Sequence, residues 1–139
     1  MPVVRLQAPR MTLDEAESLL GLNLPERHRC AMLNLTDPIH EACDFLLLDS
    51  QYELLRWVGV NEFLHAANRW NCWPPFLVAF ASNGCGDYFA YDTRTSPPQI
   101  IYMDPDHTVD ENLSEVDGLR FCDFETWYEK KIAGRRTKR

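Results

Sequence analysis

The sequence has no long hydrophobic run, and this absence limits where the protein can act. Its most apolar stretch, Phe76 to Ala81, is six residues long, whereas a membrane-spanning helix needs about 20. Residues 1–10, MPVVRLQAPR, lack the apolar centre of a signal peptide. We therefore expect a cytoplasmic protein that makes no contact with a membrane.

Cysteine and glycine are present, but not at the spacings that build common cofactor sites. The five cysteines are scattered and form no CxxC pair of the kind that zinc and thiol redox sites use, so we expect reduced thiols. Gly84-Cys85-Gly86 has the first two glycines of a dinucleotide fingerprint, but a third glycine and a following helix are missing. We therefore predict no cofactor.

Positive charge is also scarce. The chain has 21 acidic and 14 basic residues, for a formal net charge of −7, and four of the basic residues lie within the last five positions, 135–139. A body this acidic repels nucleic acid and favours basic partners. We expect a protein partner rather than nucleic acid, and a basic, disordered tail over residues 135–139.

Signals for helices fill the first third of the chain. Thr12 and Glu15 have the spacing of a capping box, and the apolar residues after them repeat at helical intervals until Gly21. Leu24-Pro25-Glu26 and Thr36-Asp37-Pro38 carry the start signals of two further helices. The sequence therefore predicts three N-terminal helices.

The centre of the predicted fold is a hairpin over Phe76 to Asp92. An apolar strand runs into a turn, and a second, aromatic strand follows it. The two strands are separated by the predicted turn residues Asn83, Gly84, Gly86 and Asp87. Glycine and asparagine suit a tight turn because they tolerate positive φ. Gln99 to Met103 then returns as a third strand, which predicts an antiparallel meander.

Two more helices are predicted beside this meander. Ser50 and Glu53 form a capping box that opens a middle helix, with Tyr52 on its apolar side and Gly59 as a candidate break. Asp123 caps a final helix that we expect Gly134 to end. Its predicted inward-facing residues are Phe124, Trp127, Tyr128 and Ile132.

Together these signals predict the α+β class. We expect a single domain over residues 1–134, in which N-terminal, middle and C-terminal helices flank an antiparallel β-sheet with the meander at its centre.

Trp70 and Trp73 are the first candidates for a functional site. They lie on an irregular, proline-bearing loop just before the central hairpin, and tryptophans in such positions often anchor protein partners. Large aromatic side chains beside the start of a strand also pack into the core. Both interpretations stay open, as partner anchors or as lids of the core.

The second candidate is the acidic turn that follows the third strand. Asp104, Asp106, His107, Asp110 and Glu111 are candidate contacts for a basic partner. The segment imitates a calcium-binding loop, but the position that requires glycine is Val109. A divalent ion held at the Asp104–Asp110 turn is an alternative, yet one histidine among loop carboxylates is more often solvated surface. We therefore predict no metal site.

Cys85 and His107 raise a rival function, hydrolysis by a thiolate nucleophile. A neighbouring imidazole activates a thiol, and Asp123 or Asn83 would orient the histidine. The sequence fixes no distance between these residues, and a small residue that fills a turn is the simpler explanation of Cys85. We predict no catalytic residue, and a small cysteine- or metal-dependent hydrolase remains the alternative.

Four segments taken together resemble the SUKH superfamily of Smi/Knr-like domains. They look like its early helix start, its central glycine hairpin, the following strand with an acidic turn, and the aromatic helix that closes the domain. The segments are LPERH (24–28), AFASNGCGDYF (79–89), IIYMDPDH (100–107) and FCDFETW (121–127). The resemblance spans residues 24–132, and it lies in the order and spacing of the segments.

This resemblance implies an α+β domain that binds another protein and has no catalytic residues. Bacterial domains of this kind are associated with toxin neutralisation, in which an immunity protein binds its cognate toxin inside the producing cell. We therefore interpret the chain as an immunity protein whose partner is a basic toxin domain, for example a nuclease, which its acidic body would attract. A regulatory scaffold is a further alternative.

Overall fold

The computed structural model describes residues 11–50, 52, 55–66, 73–84, 86–114, 120–121 and 123–137. These residues form the predicted α+β domain, with helices around an antiparallel sheet. The elements are α1 (Leu13–Leu20), α2 (Glu26–Leu33), α3 (Ile39–Ala42), β1 (Asp44–Phe45), α4 (Trp57–Ala66), β2 (Leu77–Ser82), β3 (Tyr88–Asp92), β4 (Gln99–Met103), α5 (Val109–Ser114), β5 (Arg120–Phe121) and α6 (Phe124–Thr137). Within the described residues, no helix is both long and apolar enough to cross a membrane.

The sheet is built around the predicted meander, which is confirmed. Its strands lie in chain order, β1-β2-β3-β4-β5, and each pairs with its neighbour in antiparallel orientation. At the centre, Tyr91 stands between Val78 of β2 and Ile100 of β4. All six residues of β2 are buried, as expected for an apolar strand that is covered on both faces.

The predicted capping box of α1 is also confirmed. Glu15 N donates to Thr12 Oγ1 at 3.1 Å, Thr12 N donates to Glu15 Oε1 at 2.7 Å, and the helix ends at Gly21 with φ 77°. The buried side chain of Glu17 then ties α1 to the next helix, because it accepts from Arg29 Nη1 at 2.5 Å and from the Leu24 N–H at 2.6 Å.

A cluster of aromatic rings fills the space between the sheet and helices α2 and α6. Phe80 of β2 lies at its centre, with ring centroids 4.9 Å from Trp127 and 4.7 Å from Tyr91. The four residues predicted to face inward from the last helix are all buried; they are Phe124, Trp127, Tyr128 and Ile132. Their burial confirms that α6 is amphipathic in the predicted sense.

The middle helix differs from the prediction. Helix α4 begins at Trp57 and passes through Gly59 without a break, whereas Tyr52 precedes it and is 61% exposed; Glu53 lies outside the described residues. The start is set by tertiary contacts, because Leu47 N donates to Leu55 O and Trp57 N donates to Leu47 O. These bonds hold the segment before Trp57 against the chain that follows β1.

The last helix also differs from the prediction at its end. It begins after Asp123, whose carboxylate accepts the Thr126 N–H at 2.9 Å, but it continues through Gly134 to Thr137. A side chain at position 134 would meet nothing within 4 Å, so this glycine is an exposed helix position and not a terminating turn. The helix therefore includes residues 135–137 of the segment predicted to be a tail.

Candidate functional site

The turn between β2 and β3 is organised by one buried carboxylate, that of Asp87. Its Oδ1 accepts from the Ser82 hydroxyl and from the Asn83 N–H, both at 3.0 Å. Gly84 and Gly86 have φ values of 95° and 83°, a region that side chains strongly disfavour. The predicted turn residues therefore close the loop with backbone geometry and with the Asp87 side chain.

Asp87 also joins this turn to the strand next to it. Its Oδ2 accepts from the Tyr102 hydroxyl at 2.8 Å. Burial, and then the hydrogen bond to Asp87, raise the pKa of Tyr102 above its ordinary value, so the phenol stays protonated and remains a donor. The turn is thereby fixed to the end of β4, where the acidic turn begins.

The acidic turn has its own internal anchor, the buried side chain of Asn112 on α5. The Asn112 amide accepts from the Asp104 N–H at 2.9 Å and donates to the Asp104 carbonyl at 3.0 Å. It also donates to the carbonyl of Thr108 at 3.0 Å. Through these bonds the turn is held against helix α5.

Two of the carboxylates on the acidic turn accept backbone hydrogen bonds. Asp104 Oδ1 accepts the Asp106 N–H at 2.9 Å, and Glu111 Oε1 accepts the Thr108 N–H at 2.8 Å. The bond from the Thr108 backbone is the main reason that the pKa of Glu111 lies below its ordinary value. His107 stands between these two acids, with Nε2 3.7 Å from Asp104 Oδ2 and Nδ1 3.5 Å from Glu111 Oε1.

The two turns lie side by side at one end of the sheet. Tyr88 pairs with Met103, so the residues before β3 and after β4 meet, and a side chain at Gly86 would lie 3.9 Å from Pro105. The carboxylate of Asp44 lies near Gly84, 3.4 Å from where a Cβ at that position would be. We call the surface formed by residues 44, 83–84, 86 and 104–111 the turn face.

The charge of the turn face is mainly negative. Asp44, Asp106 and Asp110 are exposed there, and Lys131 reaches its edge, with Nζ donating to Asn83 Oδ1 at 2.8 Å. Elsewhere, described basic side chains are engaged within the chain: Arg29 with Glu17, Arg56 with the Ser50 carbonyl, and Arg94 with Asp92. Two of these pairs neutralise an acid together with a base, so the negative surface potential comes from the excess of acidic over basic residues in the chain.

The tryptophan loop falls largely outside the described residues. Trp70 is not among them, and Trp73 is only 5% exposed. The indole Nε1 of Trp73 donates to the Leu77 carbonyl at 3.2 Å. The ring centroids of Trp73 and Tyr88 lie 6.0 Å apart, with the two rings nearly perpendicular. Trp73 is therefore a lid of the core, the second of the two interpretations open from the sequence.

The catalytic alternatives from the sequence involve Cys85, His107 and the acidic turn. Cys85 lies outside the described residues, so its distance to His107 is not defined. Within the part of the chain that the structure describes, no group of three or more His, Cys, Asp and Glu residues is arranged to hold a metal ion. The carboxylates of Asp104 and Glu111 accept hydrogen bonds from backbone N–H groups.

Sequence reasoning missed the most unusual titratable residue, His28. It is fully buried among the aromatic rings, and its Nδ1 shares a 2.7 Å hydrogen bond with the Tyr91 hydroxyl. Burial lowers the pKa of His28 to about 3, so the imidazole is neutral. The sequence did indicate this burial, because the apolar residues Ala31 and Met32 lie three and four positions later and therefore share the buried face of the helix with His28.

Comparison with known proteins gives one clear result. The model of the SMI1 / KNR4 family (SUKH-1) matches residues 9–129, a range that includes the turn face and every described strand. No curated protein and no solved structure gave a significant match. Since the family model covers most of the chain and agrees with the resemblance of its four segments, this protein belongs to the SMI1 / KNR4 family (SUKH-1).

Proposed function

We propose that the chain is a non-enzymatic, protein-binding module of the immunity type, which neutralises a toxin inside the cytoplasm of the producing cell. The observation that carries the proposal is the family match over residues 9–129, because membership of this family is consistent with such a module. The partner in this proposal is a basic toxin domain, for example a nuclease.

The turn face is the surface proposed to bind the toxin. Its candidate contacts are Asp104, Asp106, His107, Asp110 and Glu111. Complementary charge speeds the encounter of two proteins and fixes their relative orientation, and the exposed acids of this face suit a basic partner. The anchors Asp87 and Asn112 hold the face in one conformation, which lowers the entropy cost of binding.

The test begins with copurification. If a polymorphic toxin is encoded beside this gene, its C-terminal domain is co-expressed with the full chain, and we expect a stable complex and rescue of growth. A scaffold would bind several partners without rescue. A hydrolase would show catalytic turnover that is lost when Cys85→Ser or His107→Gln is introduced. Either result would replace the immunity proposal.

The proposed binding surface is tested with two double charge-reversal variants that have the same net charge. Asp106→Lys combined with Asp110→Lys should slow association with the toxin domain by about tenfold at low salt, because both charges lie on the proposed face. Asp49→Lys combined with Glu129→Lys makes the same change of charge away from the acidic turn, and it should change the rate much less. Equal effects of the two double variants would show that the turn face is not the binding site.

A further inference from the structure

The turn between β2 and β3 contains the one asparagine in the sequence that is followed by glycine, Asn83 before Gly84. The other asparagines precede leucine, glutamate, arginine or cysteine. Because glycine has no side chain, its backbone nitrogen can come close to the side-chain amide carbon of the preceding asparagine, which is the first step of spontaneous deamidation. Asn83 and Gly84 are both exposed. Asn83 therefore has the reactive neighbour and the access to water that this reaction needs.

Three hydrogen bonds restrain the atoms that would react. Gly84 N, the attacking atom, donates to Ser82 Oγ at 2.9 Å. Asn83 Oδ1 accepts from Lys131 Nζ at 2.8 Å, and the Asn83 N–H donates to Asp87 Oδ1 at 3.0 Å. Ring closure requires a free Gly84 nitrogen and a side-chain amide that can rotate onto it, and these bonds restrict both. The closed turn therefore slows the reaction.

The turn can open while the strands stay paired. The last paired residues of β2 and β3 on this side are Ala81 and Phe89. Beyond them the turn is closed by side-chain bonds to the Ser82 hydroxyl and the Asp87 carboxylate. Exposed loop tips open at a lower free energy than the strands they join. We therefore expect brief local openings that release the Gly84 nitrogen.

We propose that Asn83 is a deamidation site whose reaction rate is controlled by the opening of this turn. In the open turn, hydroxide takes the proton of Gly84 N, and the nitrogen bonds to Asn83 Cγ. The bond from Cγ to Nδ2 breaks as Nδ2 takes a proton from water and leaves as ammonia, which gives a succinimide ring.

Water then opens the succinimide ring in one of two ways. Cleavage between Gly84 N and Asn83 Cγ gives aspartate with a normal backbone. Cleavage between Gly84 N and the backbone carbonyl carbon of residue 83 gives isoaspartate. In total, one water is consumed, one ammonia is released, and one carboxylate is gained.

The product changes the turn face, of which Asn83 is a part. An aspartate would pair with the ammonium of Lys131, which already reaches the Asn83 side-chain oxygen. Isoaspartate adds one carbon to the backbone before Gly84, so the bonds to Ser82 and Asp87 cannot both keep their geometry. The reaction thereby gives a looser and more acidic turn, and the inference does not depend on the proposed toxin binding.

The first experiment compares the folded full chain with the same chain in urea, both at neutral pH. Acidic forms are separated by ion exchange and located by peptide mapping. We expect the folded protein to deamidate at Asn83 before any other asparagine, and more slowly than in urea. Asn83→Gln should remove this acidic form, because the longer side chain closes a ring far less readily.

The second experiment uses two variants, each with a matched control. Ser82→Ala removes the acceptor of the Gly84 N–H, and Ser114→Ala removes a hydroxyl on α5. Lys131→Ala removes the donor to Asn83 Oδ1, and Lys130→Ala removes the neighbouring charge. Ser82→Ala and Lys131→Ala should each accelerate deamidation of the folded protein several-fold, whereas both controls should leave its rate nearly unchanged.

Three outcomes would overturn the proposal. One is no detectable product at Asn83 in the folded protein after the urea sample has reacted completely. Another is an equal rate in the folded and urea samples, since the turn would then exert no control. The third is an unchanged or slower reaction in both Ser82→Ala and Lys131→Ala. The amide spectrum of β3 serves as the folding control, and Lys131→Ala alone decides the comparison if Ser82→Ala does not fold.

Discussion

The side-chain amide of Asn61 forms hydrogen bonds with both backbone polar groups of Ala79. Asn61 Oδ1 accepts the Ala79 N–H at 2.7 Å, and Nδ2 donates to the Ala79 carbonyl at 2.9 Å. The short strand β1 pairs only with Ser82 and Ala81, so the helix side chain supplies the partner that strand β2 lacks further along its edge. Asn112 binds the N–H and carbonyl of Asp104 in the same way beyond β4.

We expect Asn61→Ala to destabilise the domain strongly. The substitution removes both bonds to Ala79 and a third to the Trp57 carbonyl, and each buried group left without a partner costs about 1–3 kcal/mol. Urea unfolding should therefore show a loss of roughly 2–5 kcal/mol. The exposed neighbour serves as the control, since Glu62→Ala should change the unfolding free energy little; similar values for both variants would refute the role given to Asn61.

Asn112→Ala should loosen the acidic turn more than it weakens the sheet. Without the amide, the backbone groups of Asp104 lose their partner, and they lie near solvent where water can replace it. We expect amide hydrogen exchange at Asp104 and residues 106–108 to accelerate by about tenfold, while exchange in β3 changes much less. Uniform acceleration across both regions would show that Asn112 supports the whole domain and not the turn.

The bond between Asp87 and Tyr102 should be measurable by a double-mutant cycle. Asp87→Asn removes the charged acceptor, and Tyr102→Phe removes the donor without changing the shape of the ring. Because the acceptor is an ionised carboxylate, we expect a coupling energy of about 1–3 kcal/mol. A coupling energy near zero in chemical denaturation would mean that the two turns are not joined through this pair.

The burial of His28 should make the free energy of unfolding depend on pH. Its folded-state pKa is about 3, whereas an unfolded histidine has a pKa of about 6.5, so between these values the unfolded chain binds the additional proton. Stability is therefore fully present above about pH 6.5 and falls as the pH is lowered towards 3, by at most about 1.4 kcal/mol per pH unit.

The variant that tests this prediction is His28→Phe combined with Tyr91→Phe. It removes the titrating group and its hydrogen-bond partner together, which leaves no polar group of the pair unsatisfied. The unfolding free energy of the unaltered protein should fall relative to that of the variant as the pH is lowered from 7 to 4, since all other titrations are shared. Parallel pH profiles would contradict the assigned burial of a neutral imidazole.

Local sequence determined most of the elements of this fold. The capping box of Thr12 and Glu15, the apolar run of β2, and the glycines of the central turn act over distances of a few residues. Their physical causes are hydrogen bonds to nearby backbone groups and restricted φ angles, so the sequence was sufficient to predict them. The family, the antiparallel meander and the inward face of α6 followed from these elements and their order.

Tertiary structure decided the features that depend on partners far along the chain. Asn61 forms hydrogen bonds with a residue 18 positions away, and His28 with one 63 positions away. The residues next to Asn61 and His28 in the sequence do not indicate which partner each will have. The start of α4 was predicted too early because backbone bonds to Leu47 hold the preceding segment. Burial of Trp73 and the contact of the two turns likewise arise only when the strands pack, since the cost of burying a polar group is set by the partners that the folded chain supplies.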